Sequence, residues 1–187
     1  MTCAHPFELG ALTEYWLGEL DPSAETQVDE HLLGCDACGA RLDEVITLSS
    51  GIREAFERGT VHAFVTEAFV QDLARRGIGL REYNVPRNGS VNCMLRPEDR
   101  LLVARLEAPL EGVSRIDAVL GGDVPAHTFR DIPFDPHAGA VVLTPKIAAI
   151  RALPSHRAVV RLVAVEGDVE RLIGEYTFIH TRYSAAD

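Results

Sequence analysis

One histidine and two cysteines lie within eight residues of this chain, at His31, Cys35 and Cys38. Imidazole nitrogen and thiolate sulfur, without carboxylates, are the donor types of a tetrahedral zinc site. On a helix, residues four apart share a face, so His31 and Cys35 can converge. Gly34 can end that helix and let Cys38 enter the next one. The spacing H-x3-C-x2-C therefore predicts three ligands of a structural zinc ion.

Such a site needs a fourth ligand, and two candidates lie upstream, Cys3 and His5. The alternative is that the two cysteines and the histidine are ordinary core residues. Cysteine is scarce, with four in 187 residues, yet two of them lie beside a histidine at ligand spacing. This clustering favours a metal site over a chance arrangement.

Three helices are predicted around this motif. Apolar residues recur at near-helical spacing over residues 6–18 and predict a first helix. Asp21 is a typical N-cap, followed by proline, and predicts a second helix that runs to about Leu33. A third helix is expected from Asp36 or Ala37 to Arg58. Three short helices bury little apolar surface, so bound zinc would contribute folding free energy on the order of 10 kcal/mol.

The net charge of −10 is unevenly distributed. Residues 1–60 contain 12 Asp and Glu but only 3 Arg, whereas residues 61–187 contain 16 acidic and 15 basic residues. An acidic module is a poor ligand for nucleic acid, because binding to phosphates requires Lys and Arg. It suits a basic protein surface better. The alternative is a solvated acidic face that maintains solubility.

Residues 1 to about 75 resemble the zinc-binding anti-sigma domain of bacterial anti-sigma factors. The resemblance rests on His5, the run Tyr-Trp-Leu-Gly-Glu-Leu at 15–20, the Asp-Pro-Ser helix start at 21–23, and the H-x3-C-x2-C motif at 31–38. It implies a zinc site formed by His5, His31, Cys35 and Cys38. It also implies that the chain binds and inhibits an RNA polymerase sigma factor of the extracytoplasmic-function type.

Two residues depart from the family pattern. Leu17 occupies a position where aspartate is usual, and Cys3 lies two residues before the ligand position at His5. Cys3 could replace His5 as the ligand, or it could be a nearby reactive thiol. In redox-responsive members of the family, oxidation joins cysteines and expels zinc, so Cys3 is also a candidate redox residue.

A fourth helix is predicted over Val61–Arg75 because a wide apolar face recurs with helical period. Family members use such a helix to bind the sigma factor. The predicted binding residues are Val61, Phe64, Val65, Ala68, Phe69 and Leu73. The alternative is that this face packs on the domain that follows.

From Ile78 the pattern becomes alternating and rich in β-branched residues. Eight short strands are predicted, over residues 80–85, 90–95, 101–106, 114–120, 126–130, 140–143, 158–165 and 172–180. They favour an antiparallel sandwich or small barrel. The chain is thus predicted to be an α+β protein, with a zinc-binding helical domain at 1–77 and a β-rich, ligand-sensing or partner-binding domain at 80–187.

The sequence contains no evident nucleophile triad, phosphate loop or carboxylate pair that would indicate catalysis. We therefore expect a protein that is not an enzyme. The remaining histidines, at 62, 127, 137, 156 and 180, form no close pair. A barrel could still assemble ligands from separate strands, so a metalloenzyme or ligand-binding protein with its metal in the β-rich half is the alternative. No apolar run approaches the ~20 residues of a membrane span. We expect a cytoplasmic regulator with no membrane or direct nucleic-acid partner.

Overall fold

A computed structural model of the chain describes residues 3 and 5–183. The chain forms two compact units, Met1–Glu54 and Ala55–Asp187. The α+β class predicted from the sequence is confirmed, because helices precede a sheet-rich region. Within the described residues, no helix combines the length and the apolar character that crossing a membrane requires.

The first unit contains helices α1 (Leu9–Leu17), α2 (Pro22–Leu32) and α3, which begins at Asp36 and continues to Glu57 in the second unit. Helix α1 ends at Gly18, whose φ of 71° gives the left-handed C-cap that glycine adopts without strain. Helix α2 begins as predicted, since the Asp21 carboxylate accepts hydrogen bonds from the backbone N–H of Ser23 (2.9 Å) and Ala24 (3.1 Å). These local signals fix the helix boundaries closely.

The core of this unit is small. Its fully buried apolar residues include Leu12 of α1, Val28 of α2 and Cys38 of α3. A polar contact also joins the first two helices, because the Tyr15 hydroxyl donates a 2.6 Å hydrogen bond to Asp29 Oδ1. So little buried apolar surface leaves a helical unit of this size dependent on another source of stability.

Residues 55–183 of the second unit contain nine strands and two further helices. Its elements are β1 (Ala63–Val65), α4 (Glu67–Arg75), β2 (Leu80–Val85), β3 (Ser90–Cys93), β4 (Leu101–Glu107), β5 (Ile116–Gly122), β6 (His127–Phe129), β7 (Ala140–Thr144), α5 (Ile147–Ala152), β8 (His156–Glu166) and β9 (Val169–His180). All eight predicted strands are present, as β2 to β9. Strand β1 and helix α5 were not predicted.

The strands form two mixed sheets, with orders β1-β7-β4-β2 and β3-β9-β8-β5-β6. The predicted antiparallel arrangement holds for five strand pairs, but β2 pairs with β4, and β3 pairs with β9, in parallel. Parallel neighbours require a crossover connection. Here β3 lies in the other sheet, so the chain leaves the first sheet after β2 and returns to it at β4 with the same direction.

The main core lies between the two sheets, and a second apolar cluster covers the outer face of the four-stranded sheet. Strand β4 contributes to both. Its Leu102 and Leu106 join the main core, whereas Leu101 and Val103 join the outer cluster with Leu73 of α4. A strand covered on both faces has a continuous apolar sequence, as β4 does.

The prediction of one helix over Val61–Arg75 is wrong. Residues Ala63–Val65 form β1, which pairs with β7 so that Phe64 lies opposite Leu143. Helix α4 begins only at Glu67, after Thr66, whose side chain accepts a hydrogen bond from a backbone N–H in the first turn. The two compact units divide between residues 54 and 55, and the functional domains at 1–77 and 80–187 stay a prediction.

The predicted sigma-binding face is largely interior to the second unit. Phe64 is 8% exposed and lies in the main core, and Leu73 is fully buried in the outer cluster. Val61, Val65 and Phe69 are partly buried against that outer cluster, and Ala68 is exposed. Strand pairing and packing bury most of this face, as expected from the alternative in which it packs on the β-rich domain.

Candidate metal centre

Four potential ligands converge in the first unit: Cys3, His31, Cys35 and Cys38. His31 lies in the last turn of α2, Cys38 lies in the first turn of α3, and Cys35 lies in the connection between them. One ligand atom from each residue falls within 4.8 Å of the ligand atoms of the others. The helix–turn–helix path predicted from the sequence thus brings the motif together.

The separations between ligand atoms match those around a tetrahedral zinc ion. His31 Nε2 lies 3.5 Å from Cys3 Sγ and 3.2 Å from Cys38 Sγ, and the two sulfur atoms are 4.0 Å apart. Zinc–sulfur distances of about 2.3 Å and zinc–nitrogen distances of about 2.0 Å give ligand–ligand separations of about 3.5–3.8 Å in a tetrahedron. All four cysteines are free thiols. The residues present therefore fit a structural zinc ion.

The fourth member of the group is Cys3, whereas the resemblance implied His5. The His5 side chain is exposed and lies outside the group of converging ligands. Desolvation raises the pKa of the Cys3 thiol. A hydrogen bond from the His5 backbone N–H partly offsets that rise, so His5 affects the site through its main chain. The structure thus favours the alternative in which Cys3 replaces His5 as a ligand.

The environment of Cys35 favours the thiolate that zinc requires. The pKa of Cys35 is lowered to about 7, chiefly by a hydrogen bond from the backbone N–H of Cys38 and then by the thiol of Cys3. Free cysteine has a pKa of about 8.5, so a substantial fraction of Cys35 is ionised at neutral pH. Zinc binding must displace the thiol proton of each cysteine ligand, and the proton of Cys35 is already weakly held.

Two contacts position the N-terminal segment beside α2 and α3. The Phe7 ring meets the His31 imidazole edge to face, with centroids 5.1 Å apart and planes at 87°. Arg41 Nη1, on α3, donates a 2.9 Å hydrogen bond to the Phe7 carbonyl. Residues near Phe7 are thereby held close to the metal ligands, which brings Cys3 within reach of the site.

A family described as "Putative zinc-finger" matches residues 9–39 of the chain, which include His31, Cys35 and Cys38. No curated protein matches the chain. One similar solved structure is the N-terminal domain of phage TP901-1 ORF48, with 13% sequence identity and a TM-score of 0.35. That similarity covers 55% of this chain and 98% of the phage chain.

The donor set, its geometry and the family match agree, and the first unit is a zinc-binding unit. These features fit a zinc-binding domain of the anti-sigma type. Among residues 3 and 5–183, no second group of three or more His, Cys, Asp or Glu side chains converges in this way. Cys3 belongs to the ligand group, and its role as a redox residue stays a prediction.

Proposed function

We propose that this chain is a cytoplasmic anti-sigma factor, whose zinc-binding unit binds a sigma factor of the extracytoplasmic-function type and blocks its access to RNA polymerase and promoter. The observation that carries the proposal is the four-ligand cluster, three of whose members, His31, Cys35 and Cys38, lie in the region that matches a zinc-finger family. Its role here is structural and regulatory, since four protein ligands leave zinc no open position for catalysis. We therefore propose a function that is not enzymatic.

The charge of the zinc-binding unit supports a basic protein partner. Residues 1–60 carry 12 acidic residues and 3 Arg. A sigma factor recognises promoter DNA through basic surfaces, because contacts to phosphates require Lys and Arg. An acidic unit that covers such a surface competes directly with DNA and is attracted to it at long range.

The apolar surface of the same unit offers a contact area. Six large apolar side chains are exposed there, between 41% and 91%: Leu9, Trp16, Leu17, Leu33, Leu48 and Ile52. Leu48 and Ile52 lie four residues apart on α3 and share one face of the helix. Trp16 is of the residue type most enriched at binding hot spots. These residues replace Phe64 and Phe69 as the proposed contact with the sigma factor.

This assignment is tested in the full-length chain with the double variant Leu48→Asp and Ile52→Asp. Because both side chains are already exposed, the variant should keep its zinc and fold. Its free energy of binding to the sigma factor should weaken by about 2 kcal/mol or more, as expected for the loss of central apolar contacts. The control is Leu172→Asp, since Leu172 is 53% exposed in the second unit.

The cognate sigma factor is first identified by pull-down from the native cell, and inhibition is then measured by run-off transcription with purified polymerase. The proposal expects the wild-type chain and the Leu172→Asp control to inhibit transcription equally. It expects the α3 double variant to inhibit far less. Capture of no sigma factor, together with unaffected transcription by every extracytoplasmic-function sigma factor of that cell, would exclude the proposed function.

The alternative, a metalloenzyme or ligand-binding protein with its metal in the β-rich unit, makes a different prediction for metal content. The described ligand cluster lies in the first unit, so Cys38→Ser should release zinc. In the second unit, Cys93 and His180 contact each other at 3.8 Å between Sγ and Nδ1. Loss of metal on His180→Ala, with retention in Cys38→Ser, would favour the alternative.

A further inference from the structure

The second unit contains an apolar cavity of about 200 Å³ between its two sheets. Leu102 and Leu143 of one sheet and Val160 and Phe178 of the other form part of its wall, and residues of α5 line it as well. An apolar cavity of about 150 Å³ is large enough to bind benzene. The space therefore suits a ligand with one substituted ring or an aliphatic body of similar size.

The polar residues that line this cavity are basic or neutral. They include His62, Lys146, His156 and His180, and within the described chain no Asp or Glu lines it. Lys146 is the one lysine among the 18 basic residues of the sequence. Its long, flexible side chain is exposed and can reach over the opening while its ammonium group stays hydrated. This arrangement favours a ligand with a single negative charge.

His62 supplies an unsatisfied polar group. Its ring stacks on Phe129 with centroids 5.0 Å apart. Its Nε2 is buried, and within the described residues it has no hydrogen-bond partner. Burial, with a smaller effect from His127, lowers the pKa of His62, so the imidazole is neutral at physiological pH. A buried polar atom without a partner is costly, and a polar atom of a ligand would remove that cost.

A metal ion is a poorer occupant of this cavity. The Cys93 and His180 side chains are adjacent, but burial raises the pKa of Cys93 to about 11, which keeps it a thiol. His156 Nδ1 lies 2.8 Å from the Pro154 carbonyl oxygen and is occupied by that contact. Within residues 3 and 5–183, no third ligand joins Cys93 and His180. An organic ligand accounts better for the apolar wall.

We propose that the cavity binds a small apolar monocarboxylic acid, about the size of a ring with one short substituent. The carboxylate pairs with the Lys146 ammonium group, the apolar body contacts the wall around Leu143 and Phe178, and His62 offers a further hydrogen bond. This inference goes beyond the anti-sigma assignment and does not depend on it. A lone lysine among arginines is the one sequence signal that could have indicated the site.

The test uses the full-length, zinc-loaded chain and three probes of similar shape: 4-ethylbenzoate, 4-ethylbenzylamine and ethylbenzene. Binding is measured by titration calorimetry. We expect 4-ethylbenzoate to bind, and the amine to bind roughly tenfold or more weakly, the size of one charge-assisted hydrogen bond. Equal or tighter binding of the amine, or binding of none of the three probes, would overturn the proposal.

Two variants locate the charge contact. Lys146→Met should weaken binding of 4-ethylbenzoate roughly tenfold and leave binding of ethylbenzene unchanged, since methionine keeps the apolar stem. The matched control is Arg157→Met, because Arg157 is exposed and is not among the residues that line the cavity. Equal affinity of wild type and Lys146→Met for 4-ethylbenzoate would contradict the proposed orientation and the proposal with it.

A third variant locates the apolar body. Ala158 lines the cavity and is partly exposed, so Ala158→Phe should fill the space and abolish binding of 4-ethylbenzoate and ethylbenzene. His62→Phe keeps a ring stacked on Phe129 but removes Nε2. It should therefore weaken binding of 4-ethylbenzoate and leave binding of ethylbenzene unchanged. Melting temperatures identify any variant that is not folded. Unchanged binding in a folded Ala158→Phe variant would show that the probe binds elsewhere and would refute the site.

Discussion

His31 Nε2 lies 3.2 Å from Cys38 Sγ, although seven residues separate the two along the chain. His31 lies in the last turn of α2 and Cys38 in the first turn of α3, so the short connection at residues 33–35 brings them together. Cys3 reaches the same point from the N-terminal segment. Zinc bound at this position joins α2, α3 and the N-terminal segment, which share little other buried surface.

Removal of zinc should therefore unfold the first unit while the second stays folded. Structural zinc contributes on the order of 10 kcal/mol to small modules of this kind. The single tryptophan, Trp16, lies on α1 and reports on the first unit alone. Its emission should shift to the red when a chelator removes the metal, with loss of helical circular dichroism.

Restoration of zinc provides the control for this experiment and should return both signals. The thermal transition of the β-rich unit should remain, because its two sheets contain a large core of their own. A metal-free chain with unchanged Trp16 emission and helicity would contradict a structural role for zinc.

A second prediction concerns Gly174 and Tyr176 on β9. A Cβ added at Gly174 would lie 2.6 Å from Tyr176 Cζ. The tyrosine cannot move easily, because it is fully buried and its hydroxyl donates a 2.6 Å hydrogen bond to the Glu107 carbonyl. Gly174→Ala should lower the free energy of unfolding of this unit by about 2 kcal/mol, as expected for overpacking.

Denaturant titration measures this change, and Gly121→Ala is the matched control in a neighbouring part of the same sheet. A Cβ at Gly121 meets no atom within 4 Å, so its effect should stay within about 0.5 kcal/mol. Equal stability of the Gly174→Ala variant and the wild type would show that the Tyr176 ring adjusts without cost.

The pH dependence of stability should reveal the ion pair between Glu67 and Arg105. Arg105 donates two 2.8 Å hydrogen bonds to Glu67, and these hold the pKa of that carboxyl below its usual value of 4.5. A carboxyl whose pKa is lower in the folded state stabilises the fold above its unfolded pKa. That contribution is lost as the pH falls through the folded pKa.

Glu67→Gln should consequently destabilise the second unit at pH 7 by about 1 kcal/mol, since the pair is partly exposed, and should matter progressively less as the pH falls below about 4.5. Urea unfolding at several pH values checks this. Glu111→Gln is the control, because Glu111 is exposed. An effect of Glu67→Gln that is the same at pH 7 and at pH 3 would contradict an electrostatic origin.

The sequence predicts those parts of the structure that depend on local signals. The Asp21 cap, the Gly18 terminator and the H-x3-C-x2-C motif each act within one or two helical turns, and the structure places all of them as expected. The eight alternating strands were recognisable for the same reason, since each carries its own pattern and its own turn residues.

The errors arise where distant segments decide the outcome. Phe64 has an apolar neighbour at helical spacing, yet its pairing with Leu143, 79 residues later, makes it a strand residue. The parallel alignment of β2 with β4 likewise depends on which sheet receives β3. Cys3 and His5 are two residues apart and both candidate ligands, so only the path of the folded segment near Phe7 distinguishes them.

The zinc content of two full-length variants, Cys3→Ser and His5→Ala, tests the central claim most directly. Each protein is purified with zinc, challenged with a competing chelator, and analysed for metal per chain. The structure predicts one zinc per chain in the wild type and in His5→Ala, and loss of zinc in Cys3→Ser. Retention of zinc by Cys3→Ser together with its loss from His5→Ala would contradict this account of the site.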